Sequence, residues 1–166
     1  MCPQFATAAV AGPPTIGKLI AMKPPNYEEI RILPLQTDAD IEHRVAELIG
    51  RANLRQLWLL FLDEANVQLP LLIPVEGLPT EPTTEQTASV IARVDDLMGE
   101  IGAASVVLVW ERYGATALTA QDAAWARSLH EACDDARVTL RAMLLSHRTG
   151  VRFLVEDDYR QRMPTS

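Results

Sequence analysis

The chain has 166 residues, of which 48% are apolar and 22% are charged, and these proportions predict one globular domain, not a disordered chain. The formal net charge of -7 argues against binding to nucleic acid or to an anionic membrane, because both need a basic protein surface. Two cysteines, Cys2 and Cys133, are too few for a disulfide framework and predict a reduced, cytoplasmic protein.

The beginning of the chain is predicted to lie outside the folded domain. Residues 1–27 contain an apolar stretch that Pro13 and Pro14 interrupt, and no basic residue precedes it as in a signal peptide. We expect a flexible or extended arm there. No segment has the ~18 uninterrupted apolar residues that a membrane span needs. The domain is therefore expected to cover residues 28–156, followed by a polar tail at 157–166.

The sequence of the first half of the domain predicts a strand and a helix, followed by two strands that pair as a hairpin. The predicted segments are a short edge strand at 28–33, a helix at 38–52 and antiparallel strands at 55–62 and 67–73. Thr37 and Asp40 have the spacing of a capping box at the start of the helix. Pro70 indicates an edge or a bulge in the second hairpin strand, and residues 74–84 are predicted to form a loop.

The second half predicts two more helices and three strands. The predicted segments are a helix at 84–101, a strand at 104–110, a helix that begins after Thr119 and strands at 138–145 and 151–155. Gly102 is expected to end the first of these helices. The residues predicted to face the core from the two helices are Ala88, Ile91, Val94, Leu97, Met98, Ile101, Trp125, Leu129, Ala132 and Ala136. This order of elements predicts a three-layer α/β sandwich, with a mixed sheet between helices on both faces.

Three local patterns accompany this order of elements. The strand Leu57 to Leu62 ends at Asp63, a buried strand continues into the loop Trp110-Glu-Arg-Tyr-Gly114, and Thr119-x-x-Asp122 begins a helix. Over residues 38–156 the chain resembles the JAB/MPN metalloprotease superfamily, and most of all its RadC-like branch. The resemblance implies a fold that is also similar to that of the cytidine deaminases.

The resemblance also implies where a catalytic site would lie. In that family two histidines on a loop and an aspartate at a helix start hold zinc, and a glutamate is the general base. In this chain Trp110 and Arg112 stand at the two histidine positions, and Arg55 stands at the glutamate position. Asp122 matches the aspartate, and Thr119 replaces a serine of the family. A guanidinium stays protonated and cannot ligate a cation. We therefore expect a non-catalytic relative that holds no metal or other cofactor.

The roles of these former-site residues have alternatives. Asp122 is a relic ligand or, as we favour, a capping carboxylate. Arg55 and Arg112 form a pocket for an anion, or Arg112 forms an ion pair with Asp122 or Glu111, which is the alternative we favour. If the resemblance is a coincidence, Arg55, Trp110, Arg112 and Asp122 have no reason to converge in space.

Other polar residues carry weaker functional hypotheses. His147 and Arg148 are expected in an exposed turn, and His130 with Asp134 on a solvated helix face. The tryptophans, which are Trp58, Trp110 and Trp125, are expected in the core.

The sequence thus favours a protein interaction or scaffold module, which would bind a protein partner through the N-terminal arm or an exposed strand edge. The alternative is an anion-binding or enzymatic domain that reuses the former metal cleft through Arg55 and Arg112. Homo-oligomerisation stays open.

Overall fold

A computed structural model describes residues 15–16 and 33–159 of the chain. The elements are β1 (Thr15–Ile16), α1 (Asp38–Leu48), β2 (Gln56–Leu62), β3 (Gln68–Glu76), α2 (Thr84–Ile101), β4 (Ser105–Glu111), α3 (Ala120–Ala136), β5 (Leu140–His147), β6 (Gly150–Leu154) and α4 (Glu156–Tyr159). The predicted strand at 28–33 lies outside the described residues except for Leu33, which is in a bend. Apart from β1, so does the predicted arm at 1–27. No described helix has the length and apolar character that a membrane crossing requires.

The strands form one mixed sheet in the order β1-β3-β2-β4-β5-β6. Only the β4–β5 pair is parallel among the described strands, and helix α3 connects these two strands. Every residue of β4 is buried, because the strand has a neighbour on each side and helices or loops above and below. The continuous apolar run of its sequence follows from this central position. The predicted mixed α/β sheet is thus confirmed.

Helices cover both faces of the sheet, and successive strand residues pack on opposite sides. Leu57, Leu59 and Phe61 belong to the core cluster that includes α2 and α3. The intervening Leu60 packs instead with Ile41 of α1 in a second cluster. The sheet therefore separates two apolar cores, as the alternation of side chains along a strand requires.

In the β2–β3 hairpin, the structure confirms the prediction made from Pro70 and corrects the one made for Pro74. The pairing of β2 with β3 shifts its register between Leu60 and Leu62, opposite Pro70, so the predicted bulge is present. Pro74, however, lies within β3 and not in a loop, which begins at Gly77. Among the described residues, β1 pairs with Val75 and Glu76, and no described residue pairs with Pro74 on that side of β3, where a proline is tolerated because no N–H is needed.

Helix α1 is shorter than predicted because it ends at a local cap, in which the Ile49 and Gly50 amides both donate to the Val45 carbonyl. It begins with the predicted capping box, in which Thr37 accepts a hydrogen bond from the Asp40 amide. It ends at Leu48 and not at residue 52. Gly50 then takes a left-handed φ of 69°, and the Ala52 amide donates to the His147 carbonyl at 2.9 Å. The chain is thereby drawn from the helix to the edge of the sheet.

The inward face of α2 and α3 differs from the predicted face at two alanines. Ala88 and Ala136 are exposed and line a groove between the two helices, whereas Thr87 is buried. The Thr87 hydroxyl contacts the Thr83 carbonyl and the Ser128 hydroxyl, at 3.1 and 2.9 Å. These hydrogen bonds satisfy the Thr87 hydroxyl, so that a threonine can occupy a core position. The spacing of apolar residues alone had predicted Ala88 in the core instead.

The predicted polar tail at 157–166 is wrong for residues 157–159, which belong to α4. Tyr159 is only 2% exposed and packs in the core cluster of α3. Its hydroxyl lies 2.7 Å from Nδ1 of His130, and its carbonyl accepts a hydrogen bond from Arg127. His130 is therefore mostly covered and does not lie on a solvated helix face. An aromatic ring with a polar end suits this position, since the hydroxyl finds a partner as the ring is buried.

Two glycines of α2 are expected to respond oppositely to alanine substitution. Gly102 ends the helix with a φ of 74°, so Gly102→Ala should lower the free energy of unfolding by ~1 kcal/mol. Gly99 lies inside the helix with nothing within 4 Å of an added Cβ, so Gly99→Ala should raise it by ~0.5–1 kcal/mol. Urea denaturation of both variants measures the two effects. A loss of stability in Gly99→Ala would contradict the assigned helix.

Candidate functional site

The five candidate residues from the sequence meet at the carboxyl end of β4. Trp110 lies within β4 and Arg112 directly follows it, while Arg55 precedes β2, whose first residue pairs with the last residue of β4. Thr119 and Asp122 stand at the start of α3, the helix that follows β4. We call these five residues the Asp122 cluster. In open α/β sheets, ligands bind at this edge of the parallel strands.

Both carboxylate oxygens of Asp122 accept hydrogen bonds within the cluster. Oδ1 accepts from Nε1 of Trp110 at 3.0 Å. Oδ2 accepts from Nε and Nη2 of Arg112 at 2.8 and 2.7 Å, and from the Thr119 amide at 2.9 Å. The last bond completes the predicted capping box, since the Asp122 amide donates to the Thr119 hydroxyl. Asp122 is thus both a helix cap and the centre of a buried network.

This network keeps the Asp122 carboxyl ionised, although burial by itself disfavours the charged form. Burial alone raises the pKa of the Asp122 carboxyl. The hydrogen bonds from Arg112, the Thr119 amide and Trp110, with the positive charge of Arg112, outweigh that effect and hold the pKa below its usual value. Asp122 is therefore ionised at neutral pH and has the wrong protonation state for a general acid.

Arg112 forms the ion pair with Asp122 and is 8% exposed. Its remaining donors reach the loop that follows, where Nη1 donates to the Ala115 carbonyl at 2.6 Å and Nη2 to the Ala117 carbonyl at 2.9 Å. Gly114 has a φ of 154°, and a Cβ there would lie 2.9 Å from Nη1 of Arg112. The loop can close over the guanidinium because this residue is a glycine.

Arg55 covers the other side of the cluster by stacking. Its Cζ lies 5.1 Å from the centroid of the Trp110 ring, and the Trp110 and Trp125 rings stack with centroids 5.5 Å apart. Its Nη2 donates to the Pro79 carbonyl at 2.7 Å, and its Nη1 to the Leu78 carbonyl. Trp110 and Trp125 are core residues, as predicted. Both arginines proposed for an anion thus already donate to acceptors of the protein.

A second buried carboxylate, Glu111, lies beside the cluster, and the sequence singled it out only as a partner for Arg112. It is 3% exposed and accepts from the amides of Asn53 and Leu54 at 2.6 and 2.9 Å. Gln56 Nε2 and Trp58 Nε1 donate to its other oxygen, both at 2.8 Å. The sequence signal was a carboxylate at the end of a strand predicted to be fully buried.

The pKa of Glu111 is lowered by neutral donors. Burial raises the pKa of its carboxyl, but the hydrogen bonds from the backbone at Asn53 and Leu54 and from the side chains of Gln56 and Trp58 outweigh burial. Each donor favours the ionised form. Glu111 therefore fixes the segment before β2 to the end of β4.

The loops at this edge are also joined to each other. The Ser146 hydroxyl donates to the Gly50 carbonyl at 2.6 Å, and the Arg148 amide donates to the Gly114 carbonyl at 2.9 Å. His147, which was predicted to be exposed in a turn, is instead 6% exposed, because it ends β5 between these loops. Burial, Arg112 and Arg152 lower the pKa of His147, so its imidazole is neutral at pH 7.

The arrangement at Asp122 suits structural support better than acid–base or metal chemistry. Among residues 33–159, no three His, Cys, Asp or Glu side chains are grouped as metal ligands would be. Cys133 is buried, and burial followed by the charge of Asp134 raises the pKa of its thiol to about 12, so the thiol is unreactive at neutral pH.

Comparison with known proteins does not assign a family. The sequence matches no protein-family model and no curated protein. The resemblance to the JAB/MPN superfamily therefore stays a prediction that rests on the order of elements and the residues around Asp122. The Asp122 cluster shows where these residues lie in the fold, and a fold does not by itself define a function.

Acid is expected to destabilise the protein through its two buried carboxylates. The ordinary pKa values are 3.8 for Asp122 and 4.5 for Glu111, and both are lower in the folded chain. The unfolded chain therefore binds protons first, and the free energy of unfolding should fall as the pH falls through these values. Urea denaturation at a series of pH values should show a weaker pH dependence for Asp122→Asn. The exposed Asp95→Asn is the control, and equal slopes in wild type and Asp122→Asn would contradict the assignment.

Proposed function

We propose that this chain is a non-catalytic α/β domain, similar to the JAB/MPN and RadC-like domains, that binds a protein partner. The observation that carries the proposal is the ion pair of Arg112 with Asp122. By the resemblance, these two residues stand where two zinc ligands would be. The pair is buried and both carboxylate oxygens are already used.

Electrostatics supports the loss of metal chemistry. A guanidinium at Arg112 repels a divalent cation at the position that a histidine would occupy, and it stays charged at any physiological pH. Arg55, at the position of the general base, cannot accept a proton from water.

Exposed apolar side chains at the same edge support a binding role. Leu54 and Tyr113 are 61% and 71% exposed, and they flank the end of β4 from the two loops that Glu111 and Arg112 anchor. Tyrosine is enriched at protein interfaces and among the residues that dominate their binding energy, and Leu54 adds exposed apolar surface beside Tyr113. The cytoplasmic location of this chain stays a prediction from its sequence.

Zinc binding tests the non-catalytic part of the proposal. The metal content of the purified chain is measured by mass spectrometry, and thermal unfolding is followed during a zinc titration. We expect no stoichiometric zinc and no zinc-dependent rise in the unfolding temperature. Stoichiometric zinc that is lost in Asp122→Asn, or metal-dependent peptidase activity, would overturn the proposal.

Partner binding is tested with a matched pair of surface variants. Leu54→Ser removes an apolar side chain at the proposed edge, and Val155→Ser removes one that is 55% exposed and follows β6. The two variants and the wild type are used as baits in parallel, with sedimentation to detect self-association. A partner retained by wild type and Val155→Ser but lost by Leu54→Ser supports the proposal. A partner recovered equally by all three baits contradicts it.

A further inference from the structure

An open pocket lies beside the Asp122 cluster, on the loops before β2 and after β4 and β5. Its volume is about 400 Å³, and it is lined by Ile49, Arg51, Ala52, Asn53, Tyr113 and Arg148. We infer that this pocket binds the phosphate group of a small molecule, held between Arg51 and Arg148. The inference goes beyond the proposed function and does not depend on it.

The two arginines of the pocket differ from those of the Asp122 cluster in having no side-chain partner among the described residues. Arg55 and Arg112 donate to backbone carbonyls and, for Arg112, to Asp122. Within the described residues, neither Arg51 nor Arg148 has a side-chain hydrogen bond or an ion pair. Their N–H groups are therefore available to a ligand. An anion pocket at Arg55 and Arg112 was the alternative prediction from the sequence, whereas the arginines at this edge without a side-chain partner among the described residues are the neighbouring Arg51 and Arg148.

The charge of the pocket is opposite to that of the whole chain. The chain has a formal net charge of -7, yet the described residues that line the pocket include two arginines and no carboxylate. Glu111, which holds the Asn53 segment from behind, is 3% exposed and is turned toward its four donors. A local pair of guanidinium groups on an acidic protein favours a small anion over a polyanion, which the remaining surface repels.

The backbone around the pocket is fixed before any ligand arrives. The Asn53 amide donates to Glu111, the Ala52 amide to the His147 carbonyl and the Arg148 amide to the Gly114 carbonyl. These hydrogen bonds join the three loops that carry the lining residues. A fixed backbone reduces the entropy lost on binding, so less of the interaction energy is spent on ordering the loops.

Phosphate is an anion that two arginines can bind together at such a site. The planar guanidinium presents two parallel N–H groups that match two oxygens of a phosphate. A volume of about 400 Å³ exceeds what one phosphate fills. The ring of Tyr113, which is 71% exposed and lines the pocket, offers a surface for the organic part of a phosphate ester.

Calorimetric titration of the full chain with inorganic phosphate and with phenyl phosphate, in chloride buffer, tests the inference. We expect saturable binding of phosphate and tighter binding of phenyl phosphate. Arg51→Gln and Arg148→Gln should each weaken binding by about tenfold or more. Tyr113→Ala should remove the preference for phenyl phosphate and leave phosphate binding unchanged.

Arg93→Gln is the matched control, because Arg93 is also exposed and without a partner among the described residues but lies on α2. It causes the same change in net charge as the pocket variants and should bind phosphate like the wild type. Equal binding of the two ligands, with loss in both pocket variants, supports the site and identifies free phosphate as its ligand. No saturable binding, or equal weakening in Arg93→Gln and the pocket variants, would overturn the inference.

Discussion

Arg112→Met is expected to lower the free energy of unfolding by ~3–5 kcal/mol, because it leaves the Asp122 carboxylate buried without its cation. Arg112 supplies two of the four hydrogen bonds to that carboxylate, and Asp122 is 4% exposed. The substitution also leaves the Ala115 and Ala117 carbonyls without the donors that hold the loop. Urea denaturation at neutral pH measures the loss, and hydrogen exchange shows whether residues 113–118 become mobile.

The controls for this prediction separate charge, geometry and exposure. Arg112→Lys keeps the charge but not the fork of N–H groups, so it should lose less stability than Arg112→Met. Arg141→Met breaks an ion pair with Asp38 whose side chains are 26% and 67% exposed, and should cost at most ~1 kcal/mol. If Arg112→Met costs no more than Arg141→Met, then the Asp122 cluster is not a structural element.

Glu111→Gln is expected to lower the free energy of unfolding by ~2–3 kcal/mol, although it changes one atom. The carboxylate accepts four hydrogen bonds, two on each oxygen, and an amide replaces one oxygen by a donor. Either orientation of the new amide places an N–H group against two other N–H donors. Those donors are buried or half-buried and lose a charged acceptor.

Hydrogen exchange locates this second effect. The Asn53 and Leu54 amides should exchange faster in Glu111→Gln, whereas the amides of α2 should keep their protection in proportion to global stability. Glu100→Gln, an exposed glutamate on α2, should leave the free energy of unfolding within ~0.5 kcal/mol of wild type. Unchanged stability in Glu111→Gln would mean that the segment before β2 is not held by the carboxylate.

Asp122 and Glu111 each stabilise a different side of the carboxyl end of β4. Asp122 closes the side that faces α3, and Glu111 fixes the segment that leads into β2. Because both are fully engaged, neither is free for catalysis. Arg51 and Arg148, which have no side-chain partner among the described residues, lie further out on the loops of this edge. Their guanidinium groups can bind an anion there.

The sequence by itself determined the features that depend on neighbours along the chain. The capping boxes at Thr37 and Thr119 and the end of α2 at Gly102 were all predicted correctly, since each depends on residues within four positions. The apolar runs in β2 and β4 predicted buried strands for a similar reason. The ion pair of Arg112 was also predicted, with Asp122 or Glu111 as its partner, and the loop of eight residues between β4 and α3 brings it to Asp122.

The tertiary structure alone decided which polar groups are buried and which are free. Glu111 and its four donors are 53 to 58 residues apart in sequence, so no local pattern announces the network. Tyr159 and His147 are covered by elements distant along the chain. Arg51 and Arg148 differ from Arg55 and Arg112 in having no side-chain hydrogen bond to residues 33–159, not in residue type. The physical reason is that a buried polar group must find partners wherever the packing supplies them, and long-range packing selects those partners.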